Sequence, residues 1–237
     1  MKLSAPIYHL KQRARRLARE QAMPLHDALD RIAGEEGYGS WSLLAAKHGA
    51  QTPAARFYDR LKQGDLVLVG ARPGQGKTLL ALELAIEAVK SGKESTFFTL
   101  EYTDTDVLTR LRKLGFAPQQ FGTRFGFDCS DAICAEYIID KLQQAPRGTL
   151  AVIDYLQLLD QNREHPPLAD QISALKAFAS DRGLVIVFIS QIDRSYDPTE
   201  KPYPDLRDIR LPNPLDLTLF SKTCFLNNGE VQLQAIN

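Results

Sequence analysis

Leu66-Val-Leu-Val-Gly70-Ala71-Arg72-Pro73-Gly74-Gln75-Gly76-Lys77-Thr78-Leu79-Leu80 is the stretch on which the fold turns. Four apolar residues read as a buried strand, a glycine-rich turn follows, and a helical run begins at Lys77. In that context the backbone N–H groups of the turn and of the helix start point at anionic oxygens. Lys77 would reach the β/γ-phosphates of a nucleotide, and the Thr78 hydroxyl would ligate Mg²⁺. The candidate phosphate contacts are therefore Gly70, Ala71, Arg72, Pro73, Gly74, Gln75, Gly76, Lys77, Thr78 and Leu79. The GxxxxGK[ST] spacing is missed at one position, because Ala71 stands where the first glycine should and the glycine sits at 70. The competing reading is a chance Gly-Lys-Thr in a surface turn, which the flanking strand and helix argue against.

Outward from this loop, short β-rich runs alternate with helical stretches. The runs are Asp65–Gly70, Ser95–Leu100, Leu150–Asp154 and Leu184–Ser190, and the helices fall near 77–91, 103–114, 131–144 and 168–182. Near-continuous apolar strands separated by helices predict a mostly parallel sheet covered on both faces. Two later runs, Leu217–Leu226 and Val231–Ile236, flank Asn227-Asn228-Gly229, a hairpin signal that predicts antiparallel strands at the end of the sheet. Before the sheet, residues 1–52 read as a small all-helical segment joined by a Gln51-Thr-Pro linker to an α/β domain over 53–237. Ile7, Leu10, Ala14 and Leu17 form one apolar stripe of the first helix. Lys11, Arg13, Arg15, Arg16 and Arg19 lie off it, and residues 1–19 contain no acid. That basic face is either solvated or a docking surface, for which Lys11, Arg15 and Arg19 are candidate nucleic-acid contacts.

Three further strand ends carry polar groups suited to the loop. Leu150-Ala-Val-Ile-Asp154 ends a buried strand in a carboxylate, where ligands of open parallel sheets sit. Asp154 would hold the Mg²⁺ hydration shell beside Thr78. Thr96-Phe-Phe-Thr-Leu100-Glu101 ends in a second carboxylate, facing the same crevice if its strand neighbours the loop strand. Glu101 could take the proton of a water attacking the γ-phosphate, or merely cap the helix that follows Thr103. Val185-Ile-Val-Phe-Ile-Ser190-Gln191 ends in an amide able to bind the γ-phosphate and report its loss, with the loop 195–205 moving behind it.

Composition narrows the class. The 237 residues are 44% hydrophobic and 24% charged, so a substantial core is possible and disorder is excluded. Lys+Arg and Asp+Glu are 29 each. The charge is uneven, however: residues 1–60 carry 10 basic and 6 acidic side chains, leaving 19 and 23 beyond them. Phosphate-backbone contacts must then come from local clusters. Cys129, Cys134 and Cys224 form no CxxC, which predicts free thiols in a reducing compartment. No apolar run approaches the roughly 18 residues of a membrane span, and the start shows no secretory pattern, so a cytoplasmic protein without a membrane partner is expected.

Taken in order, Gly64-Asp-Leu-Val-Leu-Val-Gly-Ala-Arg-Pro with Gly76-Lys77-Thr78, Phe97-Phe-Thr-Leu-Glu101, Val152-Ile-Asp-Tyr-Leu-Gln-Leu, Ser190-Gln-Ile-Asp-Arg194 and Asp205-Leu-Arg resemble the motor domain of DnaB-type replicative DNA helicases, a RecA-like P-loop family. The resemblance covers about 57–237 and not the N-terminal helices. It implies an ATPase using Mg²⁺, with Lys77 and Thr78 as phosphate and metal residues and Asp154 as the metal-side acid. Glu101 would be the catalytic base and Gln191 the γ-phosphate sensor. It also implies single-stranded DNA as partner, with 159–169 and 195–205 as DNA-facing loops whose sparse cations are Arg163, Arg194 and Lys201. The family's terminal hairpin carries basic residues that act in a neighbouring subunit's ATP site. Here Phe225-Leu-Asn-Asn-Gly-Glu-Val-Gln-Leu holds none, and only Lys222 and Arg210 are near. An arginine finger would then come from one of these in a homo-oligomer, or from a partner protein. The functions left open are a helicase-like motor, a nucleotide switch or scaffold, and an ATP-binding module that hydrolyses little.

Overall fold

A computed structural model describes residues 3–5, 7–47, 52–117, 122–160, 165–197, 201, 203–211, 213–227 and 230–235. The chain divides into two compact units, Met1–Thr52 and Pro53–Asn237. In the first, α1 (Ile7–Glu20), α2 (Leu25–Glu35) and α3 (Trp41–Lys47) bury Leu10, Ala14, Ala28, Ile32, Ala33, Tyr38 and Leu44 together. Leu10 and Ala14 lie one turn apart on α1, as the apolar stripe predicts. Gly34 continues α2 instead of breaking it, and the turn comes at Gly37. Ser40 opens α3, its hydroxyl accepting the Leu43 N–H at 3.3 Å, while Asp30 accepts that of Trp41 at 2.7 Å.

The second unit begins with α4 (Pro53–Tyr58), β1 (Leu66–Ala71), α5 (Lys77–Lys90), β2 (Ser95–Thr99), α6 (Asp104–Lys113) and β3 (Phe125–Asp128). It continues with α7 (Ala135–Leu142), β4 (Leu150–Asp154), α8 (Leu168–Arg182), β5 (Val185–Gln191), β6 (Lys222–Asn227) and β7 (Glu230–Ala235). Among the described residues the seven strands form one sheet in the order β3-β2-β4-β5-β1-β6-β7. Successive side chains of a strand point to opposite faces. Accordingly Val67, Val69 and Ala71 of β1 pack with residues of α4, α5 and α6, and Leu66 and Leu68 pack with residues of α7 and α8. Both faces are covered, so β1 is buried at every position and reads as an unbroken apolar run.

The sheet differs from its sequence reading in two places. β3 carries no sequence signal: it is a four-residue edge strand, Phe-Gly-Phe-Asp, buried fully only at Phe125. Four residues are too short a run to read as a strand, and Gly126 and Asp128 are types depleted in strands. The terminal hairpin is antiparallel as expected, but it joins the rest of the sheet in parallel. β6 joins β1 in parallel, with Val67 opposite Lys222 and Ala71 opposite Leu226, and β7 then returns antiparallel along the edge. The run expected from Leu217 becomes a short 3₁₀ turn over Leu217–Leu219, because the Asp216 side chain accepts the Thr218 N–H at 2.9 Å. The Asn228-Gly229 turn lies outside the described residues.

Candidate functional site

The loop between β1 and α5 combines tight packing below with open backbone above. A Cβ added at Gly70 would stand 2.9 Å from side-chain carbons of Ile192, Ile209 and Phe225, so a larger residue at the end of the strand would force these side chains to shift. Ala71 beside it is fully buried. Gly76 has φ +83°, a left-handed conformation that a side chain would strain, and its carbonyl accepts the Leu80 N–H at 2.9 Å to start α5. Pro73, Gly74, Gly76 and Leu79 are exposed, Arg72, Gln75 and Thr78 are half-buried, and Lys77 is buried.

Lys77 lies 3.9 Å from the Glu101 carboxylate and 5.6 Å from the centre of the Tyr155 ring. Glu101 reaches it although β2 does not neighbour the loop strand, since β4 and β5 stand between β2 and β1. Registers Thr99↔Asp154, Asp154↔Ile189 and Ala71↔Gln191 set all these strand ends along one edge of the sheet. Gln191, half-buried, follows Ser190 directly beside the loop strand. Glu101 does not cap α6. That role belongs to Thr103, which exchanges hydrogen bonds with Asp106 in a capping box, while the Glu101 N–H donates to the Thr99 hydroxyl at 3.1 Å.

Asp154 is 1% exposed, and neither carboxylate oxygen has a hydrogen-bond partner. Burial pushes its pKa up to about 6, against the nearby Thr78 hydroxyl and the charges of Lys77 and Arg110. A buried carboxylate short of donors is costly unless a cation arrives. Asp154 with Thr78 therefore fits Mg²⁺. Among the described residues no group of three or more His, Cys, Asp and Glu could hold a metal ion alone. Nucleotide oxygens and water would complete the shell, as is usual for this ion.

Two residues without a role in the sequence reading belong to this edge. The Gln157 amide donates to the Ser190 hydroxyl at 2.8 Å and to the Arg210 carbonyl, joining the end of β4 to the end of β5 and to the segment after it. Its one signal is a lone polar side chain in the apolar run Leu156-Gln157-Leu158-Leu159. Arg110 stacks 4.1 Å over the Tyr102 ring with its Nε buried and unpartnered. Nothing in the charged surface pattern of α6 singles it out.

The candidate nucleic-acid residues are unlike one another. Lys201 is already paired, at 2.7 Å, with both Asp205 and Asp208, and Arg207 holds Asp205 at 2.9 Å. Arg194 is exposed, with no ion pair among the described residues, and Arg163 lies outside them. Lys11, Arg15 and Arg19 are exposed on α1. Lys222 is largely buried against Asp65, at the start of β6 and so at the opposite end of the strands from the loop, and it is not a free cation. Arg210 is exposed, and its charge is felt by Tyr155 and Asp193.

Comparison with known proteins follows this geometry. The family model for the DnaB-like helicase C-terminal domain matches residues 55–115 and 130–213. A probable plasmid replicative DNA helicase of Chlamydia trachomatis is 28% identical over 181 residues, which are 63% of this chain and 40% of that protein. The replicative DNA helicase DnaB of Geobacillus stearothermophilus is 27% identical over 192 residues, 67% of this chain and 42% of that one. The chain thus spans about two fifths of the curated relatives it matches. Among solved structures, one ATPase domain superposes with a TM-score of 0.57 at 22% identity, covering 71% of each chain. A DnaB-like replicative helicase studied with primase gives 0.58 at 19%, covering 92% of this chain and 65% of that one. The fold is RecA-like. Among the described residues no helix is long and apolar enough to cross a membrane.

Proposed function

The chain belongs to the family of DnaB-like helicase C-terminal domains, and from that membership we propose that it binds ATP with Mg²⁺ and hydrolyses it in a helicase-like cycle on DNA. The observation that carries the proposal is the convergence of Lys77, Glu101 and the donor-starved Asp154 beside the Gly76–Lys77 helix start. Loop N–H groups and Lys77 bind the β/γ-phosphates, drawing Lys77 from Glu101. Thr78 and Asp154 would hold Mg²⁺, which would supply charge neutralisation of the transferring phosphoryl group. Glu101, half-exposed and released from Lys77, accepts the proton of the attacking water. Gln191 binds the γ-phosphate, and its backbone carbonyl, which accepts the Arg210 N–H at 2.9 Å, carries a shift into the segment 205–210. Gln157 holds the same segment from the β4 side.

A second reading, a nucleotide switch that awaits a partner, is favoured by one observation. Past Lys222 the terminal hairpin carries no cation, and Lys222 is held by Asp65, so a self-supplied finger falls to Arg210 alone among these. ATP turnover per molecule, measured over a hundredfold range of protein concentration with and without single-stranded DNA, separates the two. Turnover that rises with DNA and with concentration supports the motor. A slow, flat rate supports the switch, and absent turnover with ATP bound refutes both.

A further inference from the structure

We propose that Lys11, Arg15 and Arg19, one row along α1, form a surface that binds the phosphate backbone of a nucleic acid, apart from the loop over 195–205. The inference deepens the reading that the protein acts on DNA and rests on that reading. The six cations within residues 1–19 are sorted by the fold. Arg13 is paired with Glu35 at 2.7 Å and Arg16 with Glu20 at 3.0 Å, so one flank of α1 is neutralised internally. Lys11, Arg15 and Arg19 are exposed and have no ion pair among the described residues. They recur at i, i+4 and i+8, which places them on one side of the helix about 6 Å apart and about 12 Å end to end. Leu10 and Ala14, fully buried in the first unit's core, fix the rotation of α1 so that this row faces outward.

Three unpaired like charges in a row repel one another, and only Arg19, in the last turn of α1, gains from the helix dipole. A polyanion matches them: a row about 12 Å long can face several successive phosphates of one nucleic-acid strand. The segment 201–208 contrasts with it, because Lys201 and Arg207 there already face Asp205 and Asp208. Contacts to phosphates carry no sequence information, so binding through this row is expected to be independent of sequence.

The test uses the full chain without nucleotide, and measures the affinity of a labelled oligonucleotide by anisotropy as salt is raised. The triple variant Lys11→Gln, Arg15→Gln, Arg19→Gln should lower the slope of log affinity against log salt by about 2, at about 0.7 per lost contact to a single strand. The double variant Arg13→Gln, Arg16→Gln should lower it by less than one such contact. Glutamine keeps helix propensity, and circular dichroism with an unchanged DNA-free ATPase rate reports an intact fold. A triple variant with the wild-type slope overturns the proposal and leaves α1 a solvated face. Wild-type protein that binds no DNA overturns it too, and fails the DNA reading with it. Loss of binding only in the Arg13/Arg16 variant places the contact on the other flank and overturns it as well.

Discussion

Two polar regions of the second unit treat their charges in opposite ways. At the strand ends beside the phosphate loop, Asp154 is buried with both oxygens unpartnered, and the ion pair of Lys77 is a long one, 3.9 Å to Glu101. In the segment 201–208 every described charge is answered: Lys201 by Asp205 and Asp208, Arg207 by Asp205, and the Asp205 N–H by Asp208. Folding alone accounts for the second arrangement and works against the first. Unmatched charge in a buried place marks where a ligand of opposite charge completes the structure, whereas matched charge marks structure already complete.

The comparison breaks most decisively at Lys77. Lys77→Ala should abolish productive ATP binding while thermal unfolding stays cooperative, because the loop amides remain but the charge on the β/γ-phosphates is gone. Calorimetry finding wild-type affinity in this variant removes the loop from the mechanism. Glu101→Gln comes next. It should bind ATP normally and turn it over ~10²–10⁴-fold more slowly, as loss of a positioned base does. Undiminished single-turnover hydrolysis means that another group activates the water.

Asp154→Asn sharpens the comparison in stability instead. Replacing a buried, unpaired carboxylate with a neutral amide of the same shape removes a burial cost. The nucleotide-free variant should therefore be more stable, by roughly 1 kcal/mol or about 2–4 °C in melting temperature for a chain this size. It should also lose the further stabilisation that ATP with Mg²⁺ gives the wild type. A variant that melts below the wild type without ligand would show that the Asp154 charge is structurally satisfied.

What the sequence discloses follows the same division. The loop, α5 and the carboxylate at the end of β4 are legible because their spacing is local: glycine, lysine and threonine within a few residues, and an acid closing an apolar run. Glu101 is legible as a residue but not in its route to the site, since the order β2-β4-β5-β1 places two strands between it and the loop. Gln157 and the pairing of Lys201 depend on contacts between segments far apart in sequence or folded back on themselves, which periodicity does not encode. β3 escapes because four residues are too few for an alternation to stand out, and its glycine and aspartate are depleted in strands.

The smallest effect is expected at Lys201, and it tests the other half of the comparison. The pair is partly exposed, 35% at Lys201 and 31% at Asp205, so its removal should cost no more than about 1 kcal/mol. Lys201→Met should lower the melting temperature by at most about 2–4 °C. Asp205 is held well below the usual carboxylate range, first by Arg207 and then by Lys201. A depressed carboxylate stabilises the fold above its unfolded pKa of about 3.9, and that contribution disappears as pH falls. The stability gap between wild type and Lys201→Met should therefore be present at neutral pH and close on acidification. DNA affinity and its salt slope should not change, because a cation already facing two carboxylates has no charge to lend a phosphate. A slope lower by about 0.7 in this variant would mean that the ion pairs open to admit a phosphate. The segment 201–208 would then be a switchable contact, and the matched charges a closed state of it.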